Sequence, residues 1–187
     1  MSVGKGPGDN GSGEEGQGEL QRTGRVMMIL AWVAGLALLT AVFQDQLATR
    51  FNPNASPEIL TDERGVQQVV LERNPSGHYV AGGFINGMPV TFLLDTGATD
   101  VAISETLADR LRLQRLAGGI SQTANGAVAV WRTRLDEVRL GSLSLADIPA
   151  SILPSMSADE PVLLGMSFLK QVDFSQRDGQ LVLTTLR

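Results

Sequence analysis

The stretch TFLLDTGATDVAIS, residues 91–104, sets the carboxylate of Asp95 at the end of an apolar run and follows it at once with Thr96-Gly97-Ala98. Phe92, Leu93 and Leu94 read as a buried strand, and a carboxylate at its end is costly unless its oxygens find partners. Thr96 offers a hydroxyl, and Gly97 lets the backbone turn and approach closely, so that amide N–H groups can be aimed at the acid. A carboxylate fixed in this way is a candidate for acid–base chemistry. The same tripeptide also serves as a plain strand-ending turn in β proteins, and the tripeptide alone leaves both readings open.

The rest of the composition narrows the chemistry to carboxylates. The chain has 187 residues, enough for one or at most two domains, and is 43% hydrophobic with a net charge of −5. Its 15 Lys and Arg are spread out without a cluster, so the footprint of a nucleic-acid binder is missing. There is no cysteine, which excludes disulfides, thiol catalysis and Cys-ligated zinc. The single histidine, His78, argues against Ser-His and Cys-His mechanisms and against a multi-His metal site. No metal or other cofactor is expected.

The elements that must position Asp95 follow from the pattern of the chain. Residues 1–25 are rich in Gly and polar or acidic residues and are expected to be disordered. Residues 26–43, VMMILAWVAGLALLTAVF, are 18 uncharged and mostly apolar positions, at the short end of the roughly 17–25 residues that cross a bilayer as a helix. A core helix would have a polar face. A cleaved signal peptide would have a shorter apolar run and a small-x-small site, whereas this one ends in Val42-Phe43-Gln44. An uncleaved signal anchor is therefore expected. Arg22 and Arg25 flank its start and no Lys or Arg follows until Arg50, which places the N-terminus in the cytoplasm and exports the rest. Residues 44–65, with NPNASPE, read as a linker.

Residues 66–187 carry the fold. VQQVVLER is strand-like, and Asn86-Gly87 between two β-rich runs predicts a hairpin. ISETLADRLRL predicts a short helix capped by Ser104. AVAVWRTRLDEVRLGSLSLADIPASIL alternates apolar and polar residues and breaks at Gly141-Ser142, predicting further strands. The C-terminal segment predicts a buried run, a short helix from about Ser167 and a hairpin turning at Asp178-Gly179. Short antiparallel strands with one or two small helices predict a mostly β, closed or nearly closed fold.

LLDTGA resembles the active-site motif of the aspartic proteases, and Ala98 after the glycine is typical of the retropepsins. ISQTANGAVAV, about 30 residues downstream, is similar to their flap hairpin, with Thr123, Ala124, Asn125 and Gly126 at its tip. VLLGMSFL, with Leu164 and Gly165, resembles the apolar-apolar-Gly plus helix element behind the catalytic loop. Together with the single-pass anchor, the chain is similar to membrane-anchored bacterial retropepsin-like proteases over residues 66–187.

The resemblance implies a retropepsin-like closed β-barrel with one or two short helices behind one transmembrane helix. It implies an aspartic endopeptidase that takes peptide or protein substrate, without cofactor, on the periplasmic side of the inner membrane. Such a mechanism uses two carboxylates sharing one proton, because like charges about 3 Å apart cannot both ionise. This chain supplies one motif: Asp136, Asp147 and Asp173 lack the Thr/Ser-Gly turn, and Asp178-Gly179 reads as a surface hairpin. The partner acid is then Asp95 of a second chain across a two-fold axis, with Thr96 of each chain joining the loops, as in the family.

Retroviral members carry an Asp directly after Asp-Thr-Gly-Ala and an Arg after the later glycine; here those places hold Thr99 and Met166, so that dimer contact does not carry over. Asp100 stands one position late, with its role open. His78 is expected at a surface or strand edge, and Trp131 in the core, with the cleft behind the flap as the alternative. Gly118-Gly119 reads as a flap hinge or a plain turn. The competing reading is a non-catalytic dimerisation or peptide-binding module on the same fold. A carboxylate glycosidase is disfavoured by the lack of a second suitably placed acid and by only 5% aromatic residues.

Overall fold

The helix that begins the structure is longer than the apolar run predicts. The computed structural model describes residues 14–123 and 126–186; of the disorder expected over residues 1–25, residues 1–13 lie outside the described residues, and residues 14–25 are instead helical. Helix α1 runs over Glu14–Phe51. Once the apolar run is helical, each added residue contributes a hydrogen bond without a new nucleation cost. The Glu, Leu, Gln and Arg before it are good helix formers. The helix stops at Phe51 because Asn52 precedes Pro53, which disfavours the α conformation at Asn52. Its Gly24–Phe51 portion is long and apolar enough to cross a membrane. The chain divides into two units, Met1–Leu47 and Ala48–Arg187.

The second unit is a β structure with two short helices. Strands β1 (Glu58–Thr61), β2 (Gln67–Glu72), β10 (Val172–Arg177) and β11 (Gln180–Thr185) form an antiparallel sheet in the order β1-β2-β11-β10. The remaining strands are β3 (Val80–Ile85), β4 (Met88–Leu94), β5 (Val101–Ser104), β6 (Gly118–Thr123), β7 (Gly126–Leu140), β8 (Leu143–Leu153) and β9 (Val162–Leu164). They order as β3-β4-β9-β5-β8-β7-β6. Phe84 and Ile85 of β3 also pair with Arg139 and Val138 of β7, so the hydrogen-bonded order returns on itself. Helix α2 (Glu105–Arg110) is capped by Ser104, whose hydroxyl accepts from the Leu107 amide at 3.3 Å. Helix α3 (Met166–Leu169) follows β9.

The turn residues adopt the conformations their types favour. Asn86 and Gly87 lie at φ 48° and 79°, and Asp178 and Gly179 at φ 51° and 81°, both pairs in the left-handed region that tight hairpins require. The main core gathers Phe92, Ile103, Leu135, Ile152, Leu164 and Phe168 with their neighbours, drawn from both sheets and both short helices of this unit.

The stretch expected as a linker, residues 44–65, is structured over much of its length: α1 continues to Phe51 and β1 adds an edge strand to β2. Between them Asn54 is buried, and the reason is its hydrogen bonding. Its Nδ2 donates to the carbonyls of Glu72 and Val80 at 2.9 and 2.8 Å, and its Oδ1 accepts from the Glu72 amide. The Gly82 amide donates to the Asn54 carbonyl at 2.9 Å. Asn54 thus covers the open edge of β3 directly across from the residues that lead into Asp95. Asn54→Ala would strand these buried groups at about 1–3 kcal/mol each. The expected result is a loss of about 3 kcal/mol, read as a lower urea midpoint at unchanged slope.

Candidate active site

Asp95 is delivered by β4, which lies parallel to β9 with Phe92, Leu93 and Leu94 beside Val162, Leu163 and Leu164. Phe92 is fully buried and fixes the register of the strand, while Asp95 itself is half-buried at its end. The Leu94 amide donates to the Tyr79 carbonyl at 3.0 Å and the Asp95 amide to the Leu164 carbonyl at 3.2 Å. Beyond Asp95 the chain turns: the Ala98 amide donates to the Asp95 carbonyl at 3.2 Å, and the Gly97 amide donates to Asp95 Oδ1 at 2.8 Å. The turn therefore aims an N–H at the carboxylate and orients it.

Gly97 and Gly165 are glycines for want of space. A Cβ on Gly97 would stand 3.1 Å from Asp95 Oδ1, and one on Gly165 would stand 2.2 Å from the Asp100 carbonyl oxygen and 2.7 Å from that of Ala98. Gly165 lets the first turn of α3 reach the loop from behind. The Met166 amide donates to the Ala98 carbonyl at 2.8 Å and the Ser167 amide to that of Thr99 at 2.9 Å. The Ser167 hydroxyl accepts from the Val101 amide at 3.0 Å and donates to the Pro149 carbonyl at 2.8 Å. Sequence reading missed Ser167 as a support of the loop. Its only local signal was a hydroxyl in the first turn of a helix that follows a glycine.

The predicted site residues fall as follows. Asp95, Thr96, Gly97 and Ala98 form one loop, and Leu164 and Gly165 sit against it. Thr96, Gly97 and Thr99 are exposed. The flap segment is an antiparallel hairpin of β6 and β7, with Gly118 opposite Trp131 and Thr123 opposite Gly126. Gly126 lies at φ 105°; Ala124 and Asn125, named for the tip, lie outside the described residues. Trp131 is not in the core: it is exposed, with its ring edge over Gly118. The strand alternates as expected, but the hairpin projects beyond the core and leaves this face of it without a covering layer. His78 is exposed, and among the described residues no group of three or more His, Asp or Glu is placed to hold a metal ion.

Comparison with known proteins matches this site to a family. The family model described as "gag-polyprotein putative aspartyl protease" matches residues 81–171, from β3 through α3. The crystal structure of a retropepsin-like aspartic protease from Rickettsia conorii superposes with a TM-score of 0.51 at 24% identity, covering 70% of this chain and 94% of that one. The chain has the retropepsin-like aspartic protease fold.

Among curated proteins, it is 31% identical over 121 residues to an uncharacterized protein in the cobV 5′ region of Sinorhizobium, covering 63% of this chain and 52% of that one. It is 30% identical over 135 residues to DNA damage-inducible protein 1 of Neurospora crassa, covering 65% of this chain and 30% of that one. The retropepsin-like chain thus spans about half the length of the first and less than a third of the second.

The positions at which this chain departs from retroviral members are accounted for locally. Thr99 is exposed and lends only its carbonyl, while Met166 packs its side chain against the main core. Asp100 takes a hydrogen bond from the Ser151 hydroxyl at 3.2 Å on its Oδ2, which gives the late acid a partner on β8.

Proposed function

We propose that this chain is a membrane-anchored aspartic endopeptidase whose active site is completed by Asp95 of a second copy. The observation that carries the reading is the Asp95 loop: an oriented, half-buried carboxylate tied by β9 and α3, with Thr96, Gly97 and Thr99 exposed beside it. The sequence holds no second Asp followed by Thr/Ser-Gly. A self-complementary contact of two such loops across a two-fold axis brings the two acids together. A water between them loses its proton to the ionised Asp95 as its oxygen attacks the scissile carbonyl carbon. The protonated Asp95 donates to the carbonyl oxygen, and the tetrahedral intermediate collapses as a proton passes to the leaving nitrogen. The β6–β7 hairpin would pair with the bound peptide as an added strand and limit water access.

Mixing tests the shared site. When wild type is titrated with Asp95→Asn, heterodimers carry one acid, and activity should fall more than in proportion to the wild-type fraction. A strictly proportional fall, with subunit exchange confirmed, would assign a complete site to each chain.

The apolar span within α1, with Arg22 and Arg25 before it, supports a catalytic unit outside the cytoplasm on the inner membrane. A C-terminal alkaline phosphatase fusion should be active and a C-terminal cytoplasmic reporter silent. The reverse pattern would overturn the orientation.

A further inference from the structure

We propose that two copies of this chain join edge to edge along β10, in a register that sets Asp173 of each against Arg177 of the other. The inference rests on the reading of Asp95 as half of a shared site and names the surface that brings the halves together. β10 is an edge of its sheet: β11 is its one neighbour there, and residues 173–177 are exposed. An open edge is a template for another strand. The turn at Asp178-Gly179 closes on Arg177 and Gln180, which therefore exchange backbone hydrogen bonds. The alternation of an antiparallel ladder gives the same exchange to Ser175 with Val182 and to Asp173 with Thr184. Val172, Phe174 and Gln176 then direct their N–H and C=O groups away from β11, to the open edge. Among the described residues nothing else bonds them.

The side chains choose the register and the partner. Alternation puts Asp173, Ser175 and Arg177 on one face of the sheet, acid and base four residues apart. Neither charge has an ion pair among the described residues. Charges on an edge strand usually keep other strands away. Here the two have opposite signs, and an antiparallel second copy centred on Ser175 sets Asp173 against the partner's Arg177 at both ends. The backbone suits that register. It pairs Phe174 with the partner's Gln176, both pointing to the edge, and leaves Ser175 facing its own equivalent as a non-hydrogen-bonded pair. On the core-facing side Phe174, 43% exposed, comes diagonally opposite its own equivalent, within reach of an aromatic contact. Registers centred on Phe174 or Gln176 also satisfy the backbone, but they set Asp173 or Arg177 against an uncharged Ser175.

Other open edges lack this self-complementarity. β1 has four residues with Glu58 as its one charge, and β6 has no charged residue. The β10 edge is also tied to the acid. Helix α3, whose first two amides hold the carbonyls of Ala98 and Thr99, packs against β10. Ser167 and Val172 are separated by at most about 18 Å of chain. One two-fold axis can therefore serve both β10 and the exposed Thr96-Gly97.

The chain has no cysteine, so Ser175→Cys puts its one thiol on the axis. A non-hydrogen-bonded pair holds its Cα atoms about 4.5 Å apart, inside the span of about 4.4–6.8 Å that a disulfide bridges. With the full chain in detergent micelles and copper–phenanthroline as oxidant, Ser175→Cys should convert to a disulfide-linked dimer. Gln176→Cys, whose equivalent lies diagonally off, should do so about tenfold more slowly. Charge exchange gives a second readout, sedimentation of the same micelles. Asp173→Lys or Arg177→Glu alone sets like charges opposite at both ends and should weaken dimerisation about tenfold. The double variant should recover it, and so should an equimolar mixture of the two single variants, because opposite charges then meet again. A Ser175→Cys disulfide no faster than that of Gln176→Cys, or single charge variants that dimerise as the wild type does, would overturn the β10 contact. None of these readouts needs cleavage. If they failed while titration with Asp95→Asn still gave the more than proportional fall, the copies would join elsewhere and the shared site would stand. If they succeeded while that fall was proportional, the β10 contact would stand and the shared site would not.

Discussion

Asp95→Asn should abolish peptide-bond cleavage while leaving the fold in place. An amide cannot take a proton from water, nor can it hold the shared proton that polarises the scissile carbonyl. In the proposed symmetric site the same side chain is lost from both halves, so the loss should reach about 10⁴-fold, the upper end of what a positioned acid or base contributes. The fold should survive because the asparagine Oδ1 can still accept the Gly97 amide that now donates to Asp95 at 2.8 Å. Hence the midpoint of thermal unfolding should stay unmoved while turnover of a peptide library vanishes. A statine-type transition-state mimic should inhibit the wild type. Full turnover by the asparagine variant would remove the aspartic mechanism. A wild type that binds peptides without cleaving them, and no better than Asp95→Asn, would leave a binding module on the same fold.

What the sequence made legible is what short-range chemistry dictates. Asn86-Gly87 and Asp178-Gly179 are turns because those residue types accept positive φ, and they do so here. Ser104 caps α2 because its hydroxyl reaches an amide three residues on. The Asp95 loop was readable because an acid after Phe92-Leu93-Leu94 and before a glycine has few ways to be satisfied.

What stayed hidden depends on partners far apart in the chain. Nothing near Asn54 announces that it will bond Glu72 and Val80, 18 and 26 residues away, so its stretch reads as a linker. Ser167 bonds Val101 and Pro149 across 66 and 18 residues, and hydropathy carries no trace of either contact. Trp131 reads as core by type, and only the placement of the hairpin, with one face over a small cluster and the other uncovered, exposes it.

Gly165→Ala should damage the protein more than any other single methyl added to the site. The residue lies at φ −85° and ψ −171°, extended backbone open to any amino acid, so conformation is no obstacle. Space is the obstacle: the new Cβ would fall 2.2 Å from the Asp100 carbonyl oxygen and 2.7 Å from that of Ala98, where real Cβ contacts stay above 3.0 Å. Both obstructing atoms are backbone, and neither can swing aside as a side-chain tip would. The loop after Asp95 must then lift from α3, breaking the Met166 and Ser167 amide bonds to Ala98 and Thr99. Overpacking of about 1–3 kcal/mol and two lost hydrogen bonds of about 1 kcal/mol each give a cost of about 3–5 kcal/mol, against a total stability of about 5–15 kcal/mol. A large drop in the unfolding midpoint should accompany loss of cleavage. Gly97→Ala provides the contrast, because its Cβ would meet Asp95 Oδ1 at 3.1 Å, an atom at the end of a side chain that can rotate away. That variant should keep most of its stability and lose activity as the carboxylate turns from its working position. If Gly165→Ala kept both its midpoint and its turnover, the loop that carries Asp95 would not rest on Gly165.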